Sequence, residues 1–228
     1  ALVVLAGVAF VVGVPALFAL LRWVPEPRRR EIRGATGWRD LIDLLRVDDC
    51  RRTLICWFLN GIANGLAAVL FPLIVSDFLQ LAQEQFYLLL MVYFASAIAL
   101  TPGWLLIARY RGKSAAWSLA IAANIVIFAQ VLWLSPQTAS WFFVICLLSG
   151  ATQGADLALP PSIQADVMES DRARTGLQRT ATAFALWSMA TKLALAIAVA
   201  LAFVVIGMGQ SGSHAVIGSS RLLSLYVI

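Results

Sequence analysis

Four stretches of this chain contain no Asp, Glu, Lys or Arg: residues 1–21, 53–76, 85–108 and 114–155. No other feature narrows the fold as far. A bilayer core of about 30 Å takes about 20 apolar residues as helix, so each stretch can cross at least once. The last one holds 42 residues, two crossings' worth, and Ser135-Pro136-Gln137-Thr138 supplies the turn in its middle. Composition agrees. The chain is 61% hydrophobic and 13% charged, against about 45–50% and about 25% in soluble domains. So much apolar surface cannot be hidden inside a globule of this size. The chain reads as an all-α, polytopic membrane protein. A soluble enzyme, a secreted disulfide scaffold and a nucleic-acid-binding domain are excluded, because Cys50, Cys56 and Cys146 form no CxxC or Cys/His cluster.

Six spans follow from the pattern: residues 1–21, 53–76, 85–108, 114–134, 139–160 and 180–206, with a seventh beginning at 222–228. The first lacks a charged leader region and a cleavage site, so it reads as a span and not a signal peptide. The absence of an initiator Met gives the expectation that the sequence starts inside a longer protein.

Orientation comes from the cations. Fifteen of the seventeen Lys and Arg lie in the loops after the first, third and fifth spans, and the loops after the second and fourth have none. Those odd loops are therefore expected in the cytoplasm. The net charge of +5 is then a topology signal and not a nucleic-acid footprint. In the first loop, Trp38, Leu41, Ile42, Leu44 and Leu45 alternate with Arg39, Asp40, Asp43 and Arg46. That spacing predicts a short amphipathic helix lying on the inner membrane surface. Residues 161–179 read as a polar loop, and Gly207, Gly209 and Gly212 as another.

Enzyme chemistry finds no support. His214 is the only histidine, and there is neither a GxSxG elbow nor a Walker loop. No cofactor is called for. Polar groups inside the spans carry the information, because ionisable side chains at membrane depth face a cavity or a partner. Lys192 lies about 18 Å into its span, near the midplane. It is expected to face a hydrated substrate pathway, with an interhelical ion pair as the alternative. Asp156 is expected near the cytoplasmic mouth, at a depth differing from that of Lys192 by roughly 9 Å, as a structural or gating contact. Asn60 and Asn64 share one helix face, either lining a cavity or bonding across helices. Gly61 and Gly65, and Gly150 and Gly154, form two GxxxG spacings that predict close helix packing.

The segment 154–176, GADLALPPSIQADVMESDRARTG, followed by Arg179 and Lys192, resembles one family. It is similar to the glycoside–pentoside–hexuronide:cation symporters of the major facilitator superfamily, the melibiose permease-like carriers. Pro160, Ala165-Asp166-Val167, Glu169 and Asp171, Thr175-Gly176 and Lys192 carry the likeness. The segment 59–66 and Pro102-Gly103-Trp104 with Arg109 and Gly112-Lys113 agree with it. Gln178-Arg179-Thr180-Ala181 departs from the family's Arg-Arg-Glu-Gly by a cation and a carboxylate.

The resemblance implies a major facilitator fold. Residues 1–22 would be the last helix of the amino-terminal bundle, 23–52 the central cytoplasmic loop, and 53–228 the carboxy-terminal bundle from helix seven to the start of twelve. The partner of that bundle would be the missing amino-terminal half of the same chain. The implied activity is secondary active symport of a sugar or glycoside with Na⁺ or H⁺, by alternating access in the inner (plasma) membrane. The ion site is expected in the missing half. Lys192, Ser188, Thr191, Asn60 and Asn64 are the candidate solute-binding residues. Asp156, Asp166, Glu169, Asp171, Arg174, Arg179, Arg109 and Lys113 are the candidate cytoplasmic gate, exchanging weak exposed ion pairs between bundles. A lysophospholipid-like cargo within the same fold, and a non-transporting membrane sensor or assembly partner, are the alternative readings.

Overall fold

A computed structural model describes residues 2–23, 38–135 and 139–210. Those residues are almost wholly helical: α1 (Leu2–Trp23), α2 (Trp38–Arg46), α3 (Asp48–Leu73), α4 (Gln83–Arg111), α5 (Lys113–Ala129), α6 (Ala139–Thr175) and α7 (Thr180–Gln210). Five of them, α3 to α7, are long and apolar enough to cross a membrane. The chain divides into two units, 1–33 and 34–228. The first contains α1, an apolar helix of 22 residues with Pro15 inside it. The second contains everything else.

Local chemistry sets the helix ends. Past Pro72, α3 widens into a single π-helical turn, Ile74–Phe78, before the chain reverses at Gln80. The Ala82 N–H donates to the Gln85 side chain at 3.1 Å, which caps α4. Gly112 breaks α4 from α5 with φ at +90°, a conformation that a side chain would strain. Gly176 closes α6 in the same way, at φ +71°.

Two glycine seams assemble α3 to α7. Gly61 and Gly65 of α3 face Ala194 and Ala198 of α7, so these two helices run parallel in a fixed register. Gly150 and Gly154 of α6 lie against the backbone of α4 at Tyr93 and Ala97. A buried apolar cluster built on Leu70, Ile74, Val131, Phe142 and Ile145 fills the end away from the cations.

Three sequence expectations are corrected. Residues 161–175 are not loop, because α6 runs unbroken through Pro160 and Pro161 to Thr175. The two prolines remove backbone donors to the carbonyls of Asp156 and Leu157, yet the flanking turns remain helical. Gly207 and Gly209 continue α7 and form no loop, while Gly212 and residues 222–228 lie outside the described residues. Finally, α2 does not rest on a membrane surface alone. Its Leu44 is fully buried among Cys50, Leu54, Met168, Ala183 and Trp187, so the helix is docked on α3 and α7 through its apolar stripe. Ile42 and Leu45 remain exposed.

Candidate functional site: a polar layer at mid-depth

Asp156 sits where three helices meet. Its Oδ2 accepts Nδ2–H bonds from Asn60 at 2.8 Å and Asn64 at 2.7 Å, both on α3. Its Oδ1 accepts the indole N–H of Trp117 on α5 at 2.7 Å. The carboxyl is buried, whereas the two asparagines are partly exposed. One turn toward the far side, the Thr152 hydroxyl bonds Asn124 Oδ1 at 3.0 Å, so α5 and α6 are joined at two successive levels. Between α4 and α6, the indole of Trp104 donates to the Ala151 carbonyl at 2.7 Å.

The structure therefore places Asp156 with Asn60 and Asn64, not at the mouth with the other expected gate residues. It lies about 15 Å along α6 from Asp166. The seam of α3 on α7 also revises its depth relative to Lys192. Gly61 faces Ala194, so Asn60 is level with Leu193, and Lys192 lies within about one helical rise, 1.5 Å, of that level. Asp156 and Lys192 share one layer. The sequence estimate took the inner end of α6 near Pro160, and the continuation of that helix to Thr175 is what moves the layer.

Lys192 is exposed on α7 and has no ion pair among the described residues. Ser188, one turn earlier, is exposed too. Thr191 accepts the indole N–H of Trp57 at 2.8 Å and donates its own hydroxyl to the Trp187 carbonyl at 2.9 Å. Trp57 and Trp187 stack with ring centroids 4.5 Å apart. The layer thus offers an ammonium, two hydroxyls, two amides and an aromatic pair within a few turns of α3 and α7.

The cationic end is organised differently. Arg179 grips Asp171 through both carboxylate oxygens, at 2.9 Å from Nη2, with the two side chains 5% and 2% exposed. This pair corrects the expectation of weak, solvated gate charges: the corner between α6 and α7 is covered by the cluster that buries Leu44 and Met168. Lys113 pairs with Asp166 across α5 and α6 in solvent. Glu169, Arg174 and Arg109 are exposed. Both ion pairs join helices of the same unit.

Sequence reasoning missed four participants. Trp117 and Trp57 were counted as apolar, although an indole N–H needs an acceptor once it is buried, and that signal was available. Tyr93 of α4 interacts electrostatically with Asp156. Gln164 is fully buried, with Nε2 at 3.6 Å from Cys50 Sγ and Oε1 without a hydrogen-bond partner among the described residues. No sequence signal distinguished it from the solvated residues around it.

A helical bundle with membrane-length apolar helices and a hydrogen-bonded polar layer at mid-depth is an integral, multi-pass membrane protein built for solute passage. A family model described as MFS/sugar transport protein matches residues 2–225. The chain belongs to that family, and is a membrane transporter of the major facilitator kind. No curated protein and no solved structure matches it.

Proposed function

We propose that this chain carries a sugar or glycoside across the plasma membrane by cation-coupled symport, with Na⁺ or H⁺ as the driving ion. In this reading α1 is the last helix of an amino-terminal bundle, and α3 to α7 are helices seven to eleven of the carboxy-terminal one. The two bundles rock about a site near the midplane.

One observation carries the reading: exposed Lys192 and the Asn60–Asn64–Asp156 cluster stand in one layer, about halfway along their helices. An unpaired ammonium at that depth is costly unless water or a polar solute reaches it. Hydroxyl-rich cargo suits the remaining groups, since amides, hydroxyls and an ammonium bond sugar oxygens, and indole faces cover their apolar sides. Arg109, Lys113, Asp166, Glu169, Asp171, Arg174 and Arg179 belong to the cytoplasmic end in this scheme, with the Asp171–Arg179 pair holding the α6–α7 corner rigid while solvated charges exchange partners.

The test is a screen of radiolabelled sugars and glycosides with the full chain in proteoliposomes, under separate Na⁺ and H⁺ gradients. Gradient-driven accumulation of a sugar that collapses in Lys192→Ala supports the proposal. Failure of every sugar and glycoside in both gradients overturns it, and uptake of a lysophospholipid in their place selects the lipid-carrying alternative.

A further inference from the structure

The partners of Asp156 are unusual for a buried acid. An anion held permanently in a low-dielectric site is ordinarily matched by a cation, as Arg179 matches Asp171 on this same helix. Asp156 is 7% exposed, and its three hydrogen-bond partners are all neutral: Asn60, Asn64 and Trp117. Tyr93 faces it from α4, with Cys146 of α6 beside that tyrosine. From α7, Lys192 shares its layer without forming an ion pair to it.

A guanidinium can only donate, but a carboxamide has a donor end and an acceptor end. Turning an Asn side chain by half a turn about its last torsion presents Oδ1 where Nδ2 had been. Two amides on one carboxylate oxygen can therefore satisfy either form of the acid. With the group ionised, Asn60 and Asn64 both donate to Oδ2. With Oδ2 protonated, one amide turns to accept the O–H and the other keeps donating. Trp117 is a donor only and bonds Oδ1 in both forms, which directs the proton to the oxygen that faces the amides.

We propose that Asp156 is a proton-binding residue of α3 to α7, loaded and unloaded at Oδ2 with Asn60 and Asn64 turning to follow it. Loading transfers a proton from hydronium to the carboxylate, forming the O–H bond and releasing water, and unloading is the reverse. The inference rests on the cation-coupled reading above and deepens it by naming the ion as H⁺ and by seating it in these helices.

The decisive measurement needs no solute. The full chain in lipid nanodiscs is titrated with acid while infrared difference spectra record carboxylic C=O bands. The wild type is expected to gain a band, equivalent to one carboxyl, that Asp156→Asn lacks. Trp117→Phe is expected to shift the frequency of that band, because Oδ1 loses its indole donor. Identical spectra for wild type and Asp156→Asn overturn the proposal, as does a response of the Asp156 carboxylate bands to Na⁺ in place of acid. Should Asp156→Asn fail to fold, an unmoved band in Trp117→Phe overturns it instead. A chain that shows the band yet carries no solute defeats only the transport reading. A chain that transports without the band defeats only this one.

Discussion

Gly154 packs so closely on Ala97 that a methyl group added to it would stand 2.6 Å from the Ala97 carbonyl oxygen. That oxygen is backbone and cannot rotate away, so a side chain at 154 must part α6 from α4. Gly154→Ala is expected to cost about 1–3 kcal/mol through overpacking. Gly103→Ala on α4 meets nothing within 4 Å and is expected to be neutral. Thermal unfolding of both variants in detergent, followed by size-exclusion chromatography, checks the contrast.

The Asp171–Arg179 pair predicts an asymmetry between single and double changes. Asp171→Ala strands a buried guanidinium and is expected to cost about 3–5 kcal/mol, and Arg179→Ala strands the carboxylate at a similar cost. The double change to Leu and Met is expected to restore most of the stability. Lys113→Ala, which breaks a solvated pair, is expected to cost less than about 1 kcal/mol. Unfolding midpoints of the four variants decide the matter; equal losses at Lys113 and Arg179 would contradict the burial argument.

Lys192 should matter for solute and not for folding. It is exposed and unpaired among the described residues, so Lys192→Ala leaves the unfolding midpoint unchanged. Loss of a charge-assisted contact to solute, about 1.5–3 kcal/mol, lowers uptake at limiting concentration roughly ten- to hundredfold. Lys192→Arg is expected to recover part of it. The check is initial uptake rate set beside thermal stability in the same preparations.

Trp57 holds α3 to α7 twice over, by its stack on Trp187 and by its N–H bond to Thr191. Trp57→Phe keeps an aromatic face and loses the hydrogen bond, an expected cost of about 0.5–1.5 kcal/mol. Trp57→Ala loses both and is expected to cost more. Thr191→Val should match the Phe variant, and the double change Trp57→Phe with Thr191→Val should cost little beyond either alone, which a double-mutant cycle measures directly.

Much of the fold could be read from the chain because the bilayer enforces it. The charge-free stretches mark helices with little freedom to be anything else, and both glycine pairs pack two helices as their spacing predicts. Where the reading stopped short, the missing information was three-dimensional. Residues 161–175 look like loop since they carry charge and follow two prolines, yet a helix leaving the membrane is free to be polar. The depth of Asp156 depended on where that helix ends. Its partners lie on α3 and α5, and no spacing along the chain reveals that Trp117, four residues from Lys113, reaches the same carboxylate as Asn60 and Asn64. Lys192 was legible because a lone ammonium in an apolar span has no structural excuse, whereas Gln164 and Arg179 are buried by the docking of α2, which the sequence only hinted at.

The length of α6 has a mechanical consequence. Its 37 residues make a shaft of about 55 Å, well beyond the thickness of a bilayer core. From Asp156 to Asp171 is about 22 Å of that shaft. A lean of only about 10° at the level of Asp156 would swing the Asp171 end by about 4 Å, farther than a hydrogen bond can stretch. Events too small to rearrange the polar layer are thereby geared up into displacements large enough to break or make contacts at the aqueous end.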